Sequence, residues 1–115
     1  MDDAHAWETE QRLWLEGPDS YRKLVDKQCI MAFPAPVGLV QGASIIDSLE
    51  GAPRWDRVVI TDRMIGRPAH GCVVLAYRAE GHRADRKPYA AYCTSTYCDT
   101  GVGWKLVQHQ QTAIG

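Results

Sequence analysis

The sequence predicts an α+β fold in which helices pack on one face of a curved β-sheet. Two observations carry this. Segments with helical spacing of apolar residues gather in the first half of the chain, and alternating or strongly apolar segments fill the second half. Short Gly- and Pro-containing breaks separate them, and no repeat, low-complexity stretch or domain linker interrupts the order.

Residues 3–16 read as the first helix, with Trp7, Glu10 or Gln11, and Trp14 on one face and Leu13 beside them. "EGPDS" is a break, where Gly17 suits a left-handed cap and Pro18 or Asp19 begins a second helix running to about Val25. "QCIMAF" is a strand stopped by "PAP", because proline cannot donate to a ladder. "VQGASIIDSLEGAP" holds a third short helix. It enters at Gly42 or Ser44, buries Ile45, Ile46 and Leu49, and ends at Gly51 and Pro53. Four β segments follow. "RWDRVVITDRMI" places Val58, Ile60, Asp62 and Met64 on one face, and "GCVVLAYRAE" is strongly apolar. "GHRADRK" is a charged hairpin loop, "PYAAYCTSTYC" the next strand, "DTGVG" a turn, and "WKLVQHQQT" the last strand. Strict alternation on that last strand puts Trp104, Leu106, Gln108 and Gln110 together, with Val107, His109 and Gln111 opposite.

The 115 residues, 45% hydrophobic and 23% charged, suit one compact domain with one core. A net charge of −1, from 13 basic and 14 acidic side chains, gives no footprint for nucleic acid, and the short mixed loop "HRADRK" does not create one. No apolar run is long enough for a membrane span, and "MDDAHAWETEQ" lacks the layout of a signal peptide, so a cytoplasmic protein is expected. Cys29, Cys72, Cys93 and Cys98 form no CxxC pair and no His cluster has zinc spacing, so no metal or other cofactor is expected. Free thiols in a reducing compartment fit this pattern, with Cys93 and Cys98 on opposite faces of one strand.

The order of elements resembles the nuclear transport factor 2-like superfamily. "LWLEGPDSYRKLVDKQCIMAFP" is similar to its helix–break–helix–strand opening, "GLVQGASIIDSL" to its third helix, and "GWKLVQHQQT" to its closing strand. The resemblance covers nearly the whole chain. It implies three helices on a strongly curved antiparallel or mixed sheet that forms a cone with an internal pocket. It also implies a homodimer through the outer sheet face, where Arg57, Arg63, Tyr92 and His109 are candidate contacts. The superfamily holds isomerases, cyclases and dehydratases as well as non-catalytic modules, so fold leaves function open. The three roles of its ketosteroid isomerases are missing. Phe33 stands where the base carboxylate would precede Pro34, Thr9 to Gln11 contain no tyrosine, and Thr94 to Thr96 offer hydroxyls instead of an acid.

Remaining candidates rest on position. Glu10 is a pocket carboxylate if its helix face meets the cone, and a solvated flank or a partner of Arg12 otherwise. Asp62 shares parity with apolar neighbours and is either a pocket acid, a structural partner of Arg78, or turned outward by a strand bend. For both, the structural alternatives are favoured. Ser95 has no nucleophile elbow, and His109 is expected at a sheet surface or interface. The reading is a small-molecule-binding protein whose pocket is lined by Trp14, Tyr21, Trp55, Tyr77, Gln108 and Gln110. Its ligand is largely apolar, and Asp62 or Glu10 carries any acid–base chemistry. The alternative is a non-catalytic homodimeric scaffold whose pocket is filled by its own side chains.

Overall fold

The computed structural model describes residues 1–115. Helix α1 spans Asp3–Leu15, and Asp2 caps it by accepting a hydrogen bond from the His5 amide at 2.8 Å. Its buried residues are Ala6, Thr9, Glu10, Leu13 and Trp14, a stripe at helical spacing that turns towards the sheet. Helix α2, Pro18–Leu24, begins with proline in its first turn. Gly17 precedes it in extended conformation (φ −104°), so the left-handed cap expected there does not form. Strand β1, Val25–Ala32, starts directly at the end of α2. After "PAP" the chain returns as a short strand β2, Leu39–Gln41, which the sequence reading assigned to the approach to the third helix. Helix α3, Ala43–Leu49, buries Ile45 and Leu49. Strands β3 (Arg57–Ala69), β4 (Cys72–His82), β5 (Tyr89–Asp99) and β6 (Trp104–Ala113) complete the chain.

The six strands form one open, curved, mixed sheet in the order β2-β1-β6-β5-β4-β3. All neighbours are antiparallel except β1 and β6, which run parallel. The helices cover its concave face, where α1 packs along β3 and sends Glu10 onto β4 and β5. Residues of β4 and β5 alternate strictly: Val73, Leu75, Tyr77 and Ala79, then Ala91, Cys93, Ser95 and Tyr97, face the helices and are buried. No helix is long and apolar enough to cross a membrane.

Two of the sheet's bulges decide which candidate residues point inward. Thr61 pairs with Arg78 and Met64 with Ala76, so β3 carries one residue more than β4 over this stretch. Asp62 sits in the bulge at φ +54° and is exposed, while Ile65 rather than Met64 continues the inner face begun by Val58 and Ile60. The second bulge lies in β6. Tyr97 pairs with Leu106 and Thr96 with Gln108, so Val107 is the extra residue and parity flips after it. Leu106 and His109 are consequently both buried on the concave side.

Cys93 faces inward and Cys98 outward, opposite Cys72 in the register of β4 and β5. Burial pushes the Cys29 and Cys93 thiols up to about 12, helped by nearby Asp26 and Glu10 respectively. Burial, then neighbouring Cys72, also raises the Cys98 thiol, but Cys72 and Cys98 are partly open to solvent where Cys29 and Cys93 are buried. Native protein treated with iodoacetamide at pH 8 is therefore expected to modify Cys72, and Cys98 more slowly, and to spare Cys29 and Cys93 until unfolded, as read by peptide mass mapping.

Candidate functional site

Glu10 projects from the middle of α1 onto the central strands and is completely buried. A carboxylate without water needs partners, and four side chains from three strands supply them. Tyr77 of β4 donates to Oε2, Ser95 of β5 donates to Oε2 at 2.6 Å, and Tyr97 donates to Oε1 at 2.7 Å. His109 of β6 brings Nδ1 to 3.5 Å from Oε2. Burial by itself raises the Glu10 carboxyl pKa. The hydrogen bond and charge of His109, then the Ser95 and Tyr77 hydroxyls, outweigh it and hold the group below the ordinary 4.5. The same carboxylate acts in reverse on its donors: burial first, and the Glu10 charge second, push the Tyr77 and Tyr97 phenols well above their usual range.

Proton counting fixes the order of the chain. Ser95 has one hydroxyl proton, and its bond to Glu10 uses it. Ser95 Oγ therefore accepts from His109 Nδ1–H, 2.7 Å away. The other ring nitrogen, Nε2, lies 3.0 Å from the Gln111 side-chain amide. The result is a Glu10–Ser95–His109 relay running from the protein centre to the wall of a cavity.

That cavity has a volume of about 460 Å³ and lies between the helices and the concave end of the sheet. Its walls are mostly apolar, with Leu13, Met31, Ile45 and Leu106 deep inside and the Phe33–Val40 segment along one side. His109 and Gln111 furnish its polar side on β6. Opposite stands an aromatic group: Trp55 stacks on Tyr89 (centroids 5.6 Å, 11°), and Trp14 leans on both at 6.2 and 6.3 Å. Gly81 makes this possible, because a Cβ there would stand 2.8 Å from the Trp55 indole. Arg54 also lines the cavity, but its donors are already engaged. Its guanidinium caps the end of α1, donating to the carbonyls of Leu13 (2.6 Å), Trp14 (3.0 Å) and Glu16 (2.9 Å).

Of the residues singled out from sequence, Trp14, Tyr21 and Trp55 line the cavity. Tyr77 lies behind the wall, between Glu10 and the Trp14 indole nitrogen, which donates to its hydroxyl at 3.0 Å. Gln108 and Gln110 are corrected. The β6 bulge places them on the outer face, where they bond to Thr96 at 3.0 Å and Thr94 at 3.4 Å. Asp62 is exposed outside the cavity and does not pair with Arg78, whose charged neighbour is Glu80 at 3.6 Å. Glu10 is neither a solvated flank nor an Arg12 partner; Arg12 pairs with Glu16 at 3.2 Å. His109, expected on the outer surface, is the inward group, so it leaves the set of outer-face contacts. No cluster of three or more His, Cys, Asp or Glu side chains is arranged to hold a metal ion.

No family model matches the sequence, and no curated protein matches it significantly. Solved structures do match in shape. An NTF2-like protein of unknown function in nutrient uptake from Rhodospirillum rubrum superposes with a TM-score of 0.84 at 17% identity, covering 100% of both chains. An NTF2-like protein from Cytophaga hutchinsonii gives 0.78 at 20% identity, over 99% of this chain and 100% of that one. The association domain of Caenorhabditis elegans CaMKII gives 0.77 at 12% identity, over 95% of this chain and 90% of that one. The chain has the nuclear transport factor 2-like fold.

Proposed function

We propose that this protein binds a small, mostly apolar molecule inside the cone, with His109 as its polar anchor. One observation carries this reading: an open apolar cavity of about 460 Å³ ends on an imidazole that a buried relay holds in a fixed orientation. A protein that used the fold only as a scaffold would have no use for this space. Where the bound molecule reacts, His109 Nε2 is the group that takes or gives a proton, and Glu10 acts through Ser95 to position the ring. Asp62 has no part in this chemistry.

The protein does this as a homodimer joined through the outer sheet face. Met64, Tyr92 and Ile30 stand exposed there at 70%, 57% and 51%, beside the Thr–Gln ladder of β5 and β6. The free thiols are in keeping with a reducing compartment such as the cytoplasm.

The test uses N-phenyl-1-naphthylamine, a neutral apolar probe that fluoresces when taken out of water. Micromolar binding is expected, and Val40→Trp, which fills the cavity from its half-buried wall, is expected to abolish it without changing the thermal melt. A native protein that ignores the probe, or a Val40→Trp variant that binds it equally, would overturn the reading. Native mass spectrometry is expected to give a dimer, and a monomer would remove the outer-face contact.

A further inference from the structure

The cavity mouth carries charge of one sign. Arg83, Arg86 and Lys87, all from the loop between β4 and β5, line it together with Arg54, and no carboxylate lines it anywhere. Arg54 is consumed by the α1 carbonyls. The other three are not consumed. Arg86 and Lys87 are exposed and form no ion pair with any acidic group. Arg83 lies over the Trp55 ring, 4.5 Å from its centroid, and reaches only the Pro53 carbonyl, at a long 3.4 Å. Its Nε is buried without a hydrogen-bond partner, alone among the side-chain nitrogens and oxygens of the protein. Such a donor is unfavourable unless something meets it.

We infer that the ligand is an anionic amphiphile: an apolar body held by the aromatic and aliphatic walls, and one carboxylate or similar anionic head held by Arg83, Arg86 and Lys87. This deepens the binding reading above and rests on it. The arrangement fits the chemistry on each side. The flat guanidinium of Arg83 presents a fork of donors that matches a carboxylate, while Trp55 keeps it from turning into solvent. Arg86 and Lys87 add field at the entrance and draw anions to it. The net charge of the chain is −1, so the local excess at this mouth is not a reflection of overall composition.

A matched pair of probes separates this inference from the reading beneath it. 1-Anilinonaphthalene-8-sulfonate has the same aromatic body as N-phenyl-1-naphthylamine plus one anionic group. The anionic probe is expected to bind about tenfold tighter than the neutral one at low salt, the advantage shrinking as salt rises. In Arg86→Gln/Lys87→Gln, whose altered side chains are exposed, the ratio of the two affinities is expected to fall towards one. Arg83→Gln is expected to lower it further. Decanoate is expected to displace the anionic probe at lower concentration than 1-decanol. Equal binding of both probes, or a ratio unchanged in the double variant, overturns the anionic ligand while cavity binding stands. Failure of both probes overturns the binding reading itself.

Discussion

Glu10→Ala is expected to lower stability by roughly 3–5 kcal/mol, the usual loss when one partner of a buried charged network is removed. For a domain of this size that is a fall in Tm of roughly 10–20 °C. The reason is local and countable. Alanine would leave the Tyr77, Ser95 and Tyr97 hydroxyls facing a dry space with no acceptor, and His109 would lose the charge it faces. Glu10→Gln keeps the volume and one acceptor oxygen, so a smaller loss of about 1–3 kcal/mol is expected. Urea denaturation of the two variants checks the order. A loss below about 1 kcal/mol in the alanine variant would mean that the network contributes little to the fold.

The same residue sets a pH dependence whose direction is fixed. Its carboxyl is held below 4.5 in the folded protein, through His109, Ser95 and Tyr77 acting against burial. A depressed carboxylate contributes stability that is complete above its unfolded value and is lost as pH falls through its folded value. The stability gap between the parent protein and Glu10→Gln is therefore expected to be full at pH 7 and to shrink below about pH 4.5. A gap that widened in acid would mean that Glu10 is buried as a neutral acid, and the relay to His109 would have to be drawn with a different proton order.

How much of this was visible in the sequence depends on whether a strand keeps its parity. β4 and β5 alternate without interruption, and their inner faces follow directly from the residues. β3 inserts a residue at Asp62 and β6 inserts one at Val107, and no local signal at either position announces it. Neither site has the glycine that often marks a bulge. One inserted residue exchanged Gln108 and Gln110 for His109 and Gln111 at the cavity wall, and one turned Asp62 to solvent. Glu10 is a different case. The set Ala6, Thr9, Glu10, Leu13, Trp14 has ideal helical spacing, but a stripe centred on Trp7 and Trp14 leaves Glu10 at its edge. Trp7 in fact sits at the margin, edge-on to Tyr77 at 5.8 Å with Arg63 over its outer face at 5.0 Å. A tryptophan is large enough to cover a core border, so Trp7 marks the edge of the buried stripe and not its centre. The hydroxyls that receive Glu10 come from β4 and β5, 67 to 87 residues away in sequence, and only the fold brings them together.

Gly81→Val is expected to damage both stability and binding, through one contact. A Cβ at this position would stand 2.8 and 2.9 Å from Trp55 Cδ2 and Cε3, closer than side chains pack. Glycine inside a strand is itself unfavourable, and replacing it by a β-branched residue would ordinarily help. Here the indole must move, and it cannot move alone. It is held between the Tyr89 ring on one side and the Arg83 guanidinium on the other. Overpacking of this kind costs about 1–3 kcal/mol. Displacement of Trp55 also removes the aromatic wall of the cavity and the shelf on which Arg83 lies, so binding of 1-anilinonaphthalene-8-sulfonate is expected to weaken by about tenfold or more. Trp55→Ala in the same background decides the cause. If the penalty comes from the contact, the stability loss of Gly81→Val largely disappears once the indole is gone, a coupling of about 1–3 kcal/mol in the double-mutant cycle. If the loss persists unchanged, the fault lies in the strand backbone and Trp55 is not what Gly81 is shaped to receive. Gly66→Ala serves as the reference. A Cβ there meets nothing within 4 Å, and no comparable loss is expected.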